Sequence, residues 1–488
     1  MDRYDAVIIG GGLLGCFAAR ELMRRQVSAV LVEKREDVCT GISRANSAIV
    51  YPGYDHKPGT LKARLTLSAN ADFDTLCREL SVPFSRCGSL MVSCGERGDR
   101  VLKNKYENGR LIGVPGLRLL RGDEAREMEP GLSPAVRSAL YAPTAGTTDP
   151  WALCYAALEN ARANGCDYRP GTEVLAIRRE AEGYALDTGS GTIFARSVIN
   201  CAGLCADGVR ELLFAPRMRI RRDGADYAVF ARDSVPLGHI LQQETETGEK
   251  GVTLVPTVGG TVLMESPPRP PEREESAVTE NGITRMREEA ARVFPALDWD
   301  DLIRCFAAVR PNPYGVVLRE GAWVPDGKHI GSFVIESAEP GFVSLIGVKT
   351  PGLTCARELG ALAAQRIADY LQAEENTGFD PERRAQLPVR ALDEAGRREL
   401  IRTDGDFGEV LCLCEGITVG EVLRAIRAGA VTTDGVKRRC GAMLGVCQGS
   451  RCQWRIAELI ARESGIPVEA VTASGGSSLL YGGRHGEL

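Results

Sequence analysis

The sequence carries no basic excess: 60 lysines and arginines stand against 65 aspartates and glutamates, for a formal charge of -5. With no positive surplus to neutralise phosphates, nucleic acid is not an expected partner. No uncharged apolar run approaches the roughly 18 residues needed to cross a bilayer, so no transmembrane segment is expected. The opening MDRYDAVIIG lacks the basic stretch and following apolar stretch of a secretory signal. A cytoplasmic protein is therefore expected, with peripheral membrane contact left open. Internal repeats and low-complexity tracts are missing too. What remains is ordinary globular material, 44% hydrophobic and 26% charged, and 488 residues predict two or three domains. Cysteine, by contrast, is plentiful: sixteen in all, eleven scattered through the first 355 residues. Without a secretory signal, such cysteines point to a reducing compartment, where thiols stay free or bind metal.

Residues 4–9 (YDAVII) suit a buried parallel strand, Cys16 to Arg25 a helix, and 28–33 (SAVLVE) a second strand, so the chain opens as a βαβ unit. Further on, 151–164 reads as a helix, 197–200 as a buried strand, 333–348 as a strand pair and 354–371 as a helix. Segments 76–140 and 216–325 show more strand-like alternation, as in GVTLVPTVGGTVLME, and read as a substrate-facing layer inserted into the nucleotide-binding domain. That domain then comprises 1–75, 141–215 and 326–372. Residues 373–408 are charged and lack a buried-strand pattern, which predicts a linker with some helix. Residues 409–475 read as a small separate domain and 476–488 as a flexible tail.

Gly10, Gly12 and Gly15 match G-x-G-x-x-G directly between strand and helix. The first glycine permits the tight turn, the second lets the backbone approach a pyrophosphate, and the third lets helix and strand pack closely. The helix N-terminus then offers free N–H groups and partial positive charge to the phosphates. Glu33 ends the second strand, 23 residues after Gly10, where its carboxylate can accept hydrogen bonds from ribose hydroxyls. The motif alone leaves FAD and NAD open. No second strand–GxGxxG–helix unit occurs, so one dinucleotide is expected.

Three further segments resemble the glycine oxidase and glycerol-3-phosphate dehydrogenase superfamily of FAD enzymes: GISRANSAIVYPGYDHKPGTLKARL (41–65), VINCAGLCAD (198–207) and IGVKTPGLTCA (346–356). LVPTVGGTVLM (254–264) and FAAVRPNP (306–313) extend the resemblance over roughly 1–371. It implies an α/β fold, a Rossmann-type FAD-binding domain interleaved with an antiparallel-sheet substrate domain. It implies FAD contacts at Gly10, Gly12, Gly15, Glu33, Ser43, Asn46, Val174, Ala202 and Gly203. Gly352, Leu353 and Thr354 would start a helix whose N–H groups stabilise negative charge at the flavin edge. The alternative for Ser43 and Thr354 is an ordinary turn or helix cap.

The resemblance also implies that Arg310 meets a substrate anion, for which a guanidinium fork suits a carboxylate or phosphate; the alternative is a structural salt bridge. Many relatives carry His-Ala-Gly where this chain has Tyr51-Pro52-Gly53. A tyrosine with its ordinary pKa of about 10 is a poor base at neutral pH. Either another group takes the substrate proton, or Tyr51 is shifted, or the substrate differs. His56 is a nearby candidate, with a solvated loop histidine as the other reading. Lys349 would stabilise negative charge or bind substrate, unless it snorkels to solvent.

Cys412-Leu-Cys414 is followed after 32 residues by Cys447-Gln-Gly-Ser-Arg-Cys452. Paired cysteines in two short loops can place four thiolates around a diamond of two irons and two sulfides. Four cysteines also make a tetrahedral zinc site, which is the alternative, along with unliganded thiols. The intervening segment reads as helix–turn–helix. The pattern resembles bacterioferritin-associated ferredoxin, in the form fused to anaerobic-type glycerol-3-phosphate dehydrogenases, and so implies a small helical C-terminal [2Fe–2S] domain. Cys440 reads as a buried thiol or a substitute ligand, and Cys201 and Cys205 as core packing. The resemblance thus implies an FAD-dependent dehydrogenase of a small anionic hydroxy compound, sn-glycerol 3-phosphate in the first place. Electrons would leave through the cluster to a companion flavoprotein or quinone-linked acceptor. A 2-hydroxy-acid or amino-acid dehydrogenase, or a non-catalytic electron-transfer subunit, are the rivals.

Overall fold

A computed structural model describes residues 2–267, 277–383, 385 and 388–481. The chain divides into two compact units, Met1–Lys34 with Cys39–Arg383, and Arg35–Val38 with Arg384–Leu488.

The first unit is built on two sheets. Strand β1 (Asp2–Ile9) lies between β2 (Ala29–Val32) and the strand Gly191–Asn200, parallel to both. Asp167–Arg169 adds to β2 and Phe342–Ile346 to Gly191–Asn200, again in parallel. The expected apolar runs are what this central position requires: Ala6, Val7 and Ile8 of β1 and Val30 and Leu31 of β2 are fully buried. Helix α1 (Leu13–Leu22) covers this sheet, packing against the helices Pro150–Ala163 and Ala356–Leu371. Its Phe17 has no exposed surface, and trimming it to alanine would cost about 3–5 kcal/mol. Close approach is built in, since a Cβ on Gly360 would lie 2.7 Å from the backbone of Phe17 and Ala18.

The second sheet has nine strands, in the order 322–329, 302–319, 218–230, 262–265, 250–256, 240–244, 89–93, 138–142, 118–121. All neighbours are antiparallel except 89–93 with 240–244, which run parallel. That pair joins the early inserted segment to the late one, so the two pieces make a single layer.

The segment expected as a linker is divided between the units. Up to Arg383 it is tied to the first: Arg20, fully buried, donates to the Pro381 carbonyl, Asn160 to the Asp380 carbonyl, and the Arg383 N–H to the Glu79 carbonyl. These contacts satisfy buried polar groups that would otherwise be costly, which holds a charged stretch in place without a strand pattern. Residues 384, 386 and 387 lie outside the described set.

The second unit holds a short hairpin, Val410–Cys412 with Ile417–Thr418, and the helices Glu394–Thr403, Val419–Arg427, Thr433–Cys440 and Gln453–Ser464. Thr418 and Glu421 form a capping box at Val419–Arg427, and the second Glu421 oxygen accepts the Val389 N–H at 3.0 Å. The expected flexible tail starts otherwise. Ser478 bonds back to residues 473–475, and Leu480 and Tyr481 pack on this unit's core. The rest of that tail, 482–488, lies outside the described residues.

Candidate functional site

The glycine turn is shaped as a phosphate cradle. Gly10 has φ +105°, and a Cβ there would sit 2.7 Å from the Cys201 carbonyl oxygen. A Cβ on Gly15 would stand 1.9 Å from the Gly10 carbonyl oxygen, so helix and strand meet at a distance only glycine allows. Gly12 caps α1 without a side-chain hydrogen bond of its own. Ser43 reaches this turn from the 41–48 loop, its Oγ accepting the Leu13 N–H at 2.9 Å. The Glu33 carboxylate accepts the Gly11 N–H at 2.7 Å, which fixes it beside the cradle, where ribose hydroxyls would reach it. Ala202 and Gly203 lie on the facing turn: Cys201, Ala202 and Gly10 are in close contact, and Gly203 has φ +60°. Cys201 is core, as expected, whereas Cys205 is partly exposed and accepts from Lys34 Nζ at 3.7 Å.

The other expected cofactor positions have different partners. Asn46 spends its side chain within its own loop, donating to the Ser43 carbonyl and accepting from the Ala48 N–H. Val174 opens the strand Val174–Glu180, partly buried against the sheet's core. Gly352 and Leu353 form the tight turn before helix Ala356–Leu371, and Thr354, almost fully buried, accepts the Tyr51 N–H at 2.9 Å. Thr354 therefore pins the 51–53 turn to the late turn and caps no helix.

Beside these turns, charged side chains of the nine-stranded sheet meet Lys349 of the late turn and outline the candidate recess. Arg310 is ion-paired with Glu265, whose Oε1 also lies 3.3 Å from Lys250 Nζ. Lys349 donates to Asn312, which donates in turn to Asp223 at 2.5 Å. Asp223 is held by Arg221. Burial pulls the Lys349 pKa down, and Lys62, Arg310 and Arg221 add repulsion that Asp223 only partly offsets. Burial likewise pushes Lys250 down to about 7, with Arg310 and Lys105 adding to the fall and Asp55 opposing it. Lys250 nevertheless keeps 41% of its side-chain surface accessible.

Tyr51 is 7% exposed, and burial raises its pKa well above the ordinary value, with Asp55 and Tyr54 adding to the rise. Its phenol is thus protonated throughout the physiological range, and of the sequence alternatives a downward-shifted Tyr51 is removed. His56 is not a solvated loop histidine. It is 7% exposed, packs 5.7 Å from the Tyr51 ring, and is pushed down to about 4 by burial, with Lys62 helping and Asp55 opposing. The imidazole is neutral at pH 7, and its buried Nε2 has no hydrogen-bond partner among the described residues.

The four C-terminal cysteines come together as two pairs. Cys412 interacts with Cys452, and Cys414 with Cys447. The first pair is buried, each residue 1% exposed, whereas the second is partly exposed. Cys412 is pulled down to about 6, chiefly by the Cys452 hydrogen bond. Among the described residues no three or more cysteine, histidine or acidic side chains converge on one point. Two irons bridged by sulfides take two thiolates each, which two pairs can supply. Cys440 stands apart as a thiol bonded to the Val436 carbonyl and pushed up to about 12 by burial.

Residues 5–366 match the model of the FAD dependent oxidoreductase family. The chain belongs to that family. Residues 410–462 match the BFD-like [2Fe-2S] binding domain, so this oxidoreductase carries both an FAD domain and a cluster domain. It is 35% identical over 99% of its length, and all of the relative's, to a glycerol 3-phosphate dehydrogenase of Caloramator mitchellensis. It is 25% identical to a glycerol 3-phosphate oxidase of Mycoplasma pneumoniae, over 73% of this chain and 92% of the other. Among solved structures, the FAD-bound glycerol-3-phosphate dehydrogenase of Bacillus halodurans superposes with a TM-score of 0.68 at 17% identity, covering 95% of this chain and 91% of that one. That likeness supports the fold. FAD suits the cradle on its own geometry, since the turn's glycines carry no side chain and a helix N-terminus follows directly, with the Ser43 hydroxyl at the Leu13 N–H.

Sequence reading missed four recess groups of this oxidoreductase: Lys62, Lys250, Glu265 and Asp55. Lys250 ends the polar stretch TETGEK and looks like one more solvated lysine. Asp55 did have a signal, adjacency to His56 in a segment already singled out. No helix among the described residues is long and apolar enough to cross a membrane.

Proposed function

We propose that this flavoprotein oxidises sn-glycerol 3-phosphate at its CH–OH carbon and passes the electrons, through the cluster domain, to a companion flavoprotein or quinone-linked acceptor. The carrying observation is that Arg310 neighbours both Lys349 and Lys250, with Lys62 near Lys349. A lone carboxylate is served by one guanidinium fork, whereas a dianionic phosphate rewards several cations. Glu265 and Asp223 hold these cations in place until the substrate anion arrives.

Bound FAD supplies a two-electron acceptor for the hydride, and the [2Fe–2S] cluster a one-electron carrier. Gly10, Gly12, Gly15, Ser43 and Glu33 would hold the dinucleotide; Cys412 with Cys452 and Cys414 with Cys447 would hold the two irons. Arg310 and Lys349 bind the phosphate. The substrate hydroxyl proton goes to Lys250, whose pKa of about 7 is matched to that task. Tyr51 keeps its proton and orients the hydroxyl, with Asp55 accepting from the phenol. His56 buttresses Tyr51 as a neutral ring. The working compartment is the cytoplasm, with peripheral membrane contact where the acceptor is membrane-linked.

Anaerobic mixing of the purified protein with glycerol 3-phosphate, hydroxy acids and amino acids tests this reading. Flavin bleaching by glycerol 3-phosphate supports it. Bleaching by an amino acid or hydroxy acid alone assigns the recess to a carboxylate substrate, and no bleaching by any of them leaves an electron-transfer subunit.

A further inference from the structure

The loop after Glu33 makes an excursion that binding a dinucleotide does not by itself require. Glu33 accepts the Gly11 N–H at 2.7 Å, and the Cys39 N–H donates to the Gly11 carbonyl at 2.9 Å. The chain thus leaves the phosphate cradle and returns to it at the same glycine. Between those two bonds it passes into the second compact unit: Arg35–Val38 belong with Arg384–Leu488, whereas Lys34 and Cys39 belong to the first. The return is made under constraint. Cys39 is fully buried with φ +60°, a left-handed backbone that a residue with a Cβ keeps only where its surroundings hold it.

What holds the tip of the loop is charge. Asp37 is 2% exposed, and both its carboxylate oxygens meet Arg439, Oδ1 at 2.8 Å and Oδ2 at 2.5 Å, with Arg438 Nη2 3.5 Å from Oδ2. Glu36 beside it accepts the Gly476 N–H at 3.0 Å. A guanidinium fork on a carboxylate fixes orientation as well as position, and in a buried setting removing either charge strands the other. Both arginines stand on the helix Thr433–Cys440, which lies in sequence between the two cysteine pairs. Its Val436 shares one apolar core with Cys412, Cys452 and Met443. The place of the arginines therefore depends on the packing of residues that would hold the cluster.

We propose that Asp37 is a positioning residue through which the cluster domain tightens FAD binding. With the cluster in place, Arg438 and Arg439 hold the 34–38 loop, and the loop holds Glu33 and Gly11 in the geometry the dinucleotide needs. Loss of the cluster loosens the helix Thr433–Cys440, releases Asp37 and slackens the cradle. An assembled electron exit is thereby a condition for firm retention of FAD.

The test is FAD affinity with and without the cluster. Iron is stripped from part of the purified holoenzyme with dithionite and a chelator, FAD is removed from the stripped and unstripped protein alike, and each is titrated with FAD by flavin fluorescence. In the parent, loss of the cluster should weaken binding about tenfold, an ordinary size for coupling between two sites. Asp37→Asn keeps the shape of the side chain but not its charge. Its iron, acid-labile sulfide and electron paramagnetic resonance signal after dithionite should match the parent's. It should nevertheless bind FAD as weakly as the cluster-free parent, and losing its cluster should weaken it no further. Arg439→Lys, which keeps a charge but not the fork, should fall between the two, and it serves in place of Asp37→Asn if that variant does not fold. Arg427→Gln breaks an exposed pair with Glu463 in the same unit and should behave as the parent. Equal FAD affinity of the parent with and without its cluster overturns the proposal. So does a second loss of the same size when Asp37→Asn is stripped, or an Arg427→Gln protein as weak as Asp37→Asn.

Discussion

Replacing Arg310 by methionine changes two things at once, and both can be measured. The substitution keeps the side chain's bulk but removes the guanidinium from the recess, where it pairs with Glu265 and repels Lys250. A hydrogen bond to a charged group contributes about 1.5–3 kcal/mol, so losing the phosphate contact should lower kcat/KM roughly 10- to 150-fold. The second effect concerns protons. Lys250 acts as a base only when deprotonated, so activity should rise with pH through about 7. Without Arg310, one cause of the depressed pKa disappears, and Glu265, 4% exposed, is left facing Lys250 alone. Both changes favour the ammonium form, which moves the rising limb to higher pH. Steady-state rates with a dye acceptor, taken from about pH 6 to about pH 9, separate the two effects. An unchanged kcat/KM would refute the substrate contact, and an unmoved limb would refute the electrostatic link between Arg310 and Lys250.

Three further expectations use the same geometry. Lys250→Arg keeps the charge but not the titration, so the rising limb near pH 7 should vanish with kcat much reduced, whereas Tyr51→Phe should leave that limb where it is. Gly15→Ala places a methyl 1.9 Å from the Gly10 carbonyl oxygen, and the purified variant should contain little or no FAD by its absorbance. Ser43→Ala removes the acceptor for the Leu13 N–H, at a cost of about 1 kcal/mol, and should weaken FAD binding roughly fivefold in a reconstitution titration.

The parts legible in the sequence were those in which one short segment does the whole job. The glycine turn is such a case, because Gly10 and Gly15 contact each other and the spacing is imposed by that contact. The cysteine pairs are another: each loop brings two thiols, and only the pairing across the loops, Cys412 with Cys452 and Cys414 with Cys447, needed the fold. The recess was the opposite. Lys250, Glu265 and Arg310 come from three strands, Lys62 from a helix and Asp55 from a loop, and nothing local marks any of them as neighbours of the others. Tyr51 was singled out as a departure from the relatives' histidine. Its upward pKa shift depends on Asp55 and Tyr54 packing around it in a buried setting, which no spacing encodes. The linker shows the same limit, since a charged stretch looks solvated until Arg20 and Asn160 are seen to need its carbonyls.

The central claim is that one chain takes electrons from a small phosphorylated alcohol and holds them at two centres. The direct measurement is a single anaerobic titration of the holoenzyme with sn-glycerol 3-phosphate, followed by visible absorbance and by electron paramagnetic resonance on the same samples. The flavin bands should bleach, and a [2Fe–2S] signal should grow in with them. A flavin that stays oxidised with excess substrate, while dithionite still bleaches it, would contradict the account.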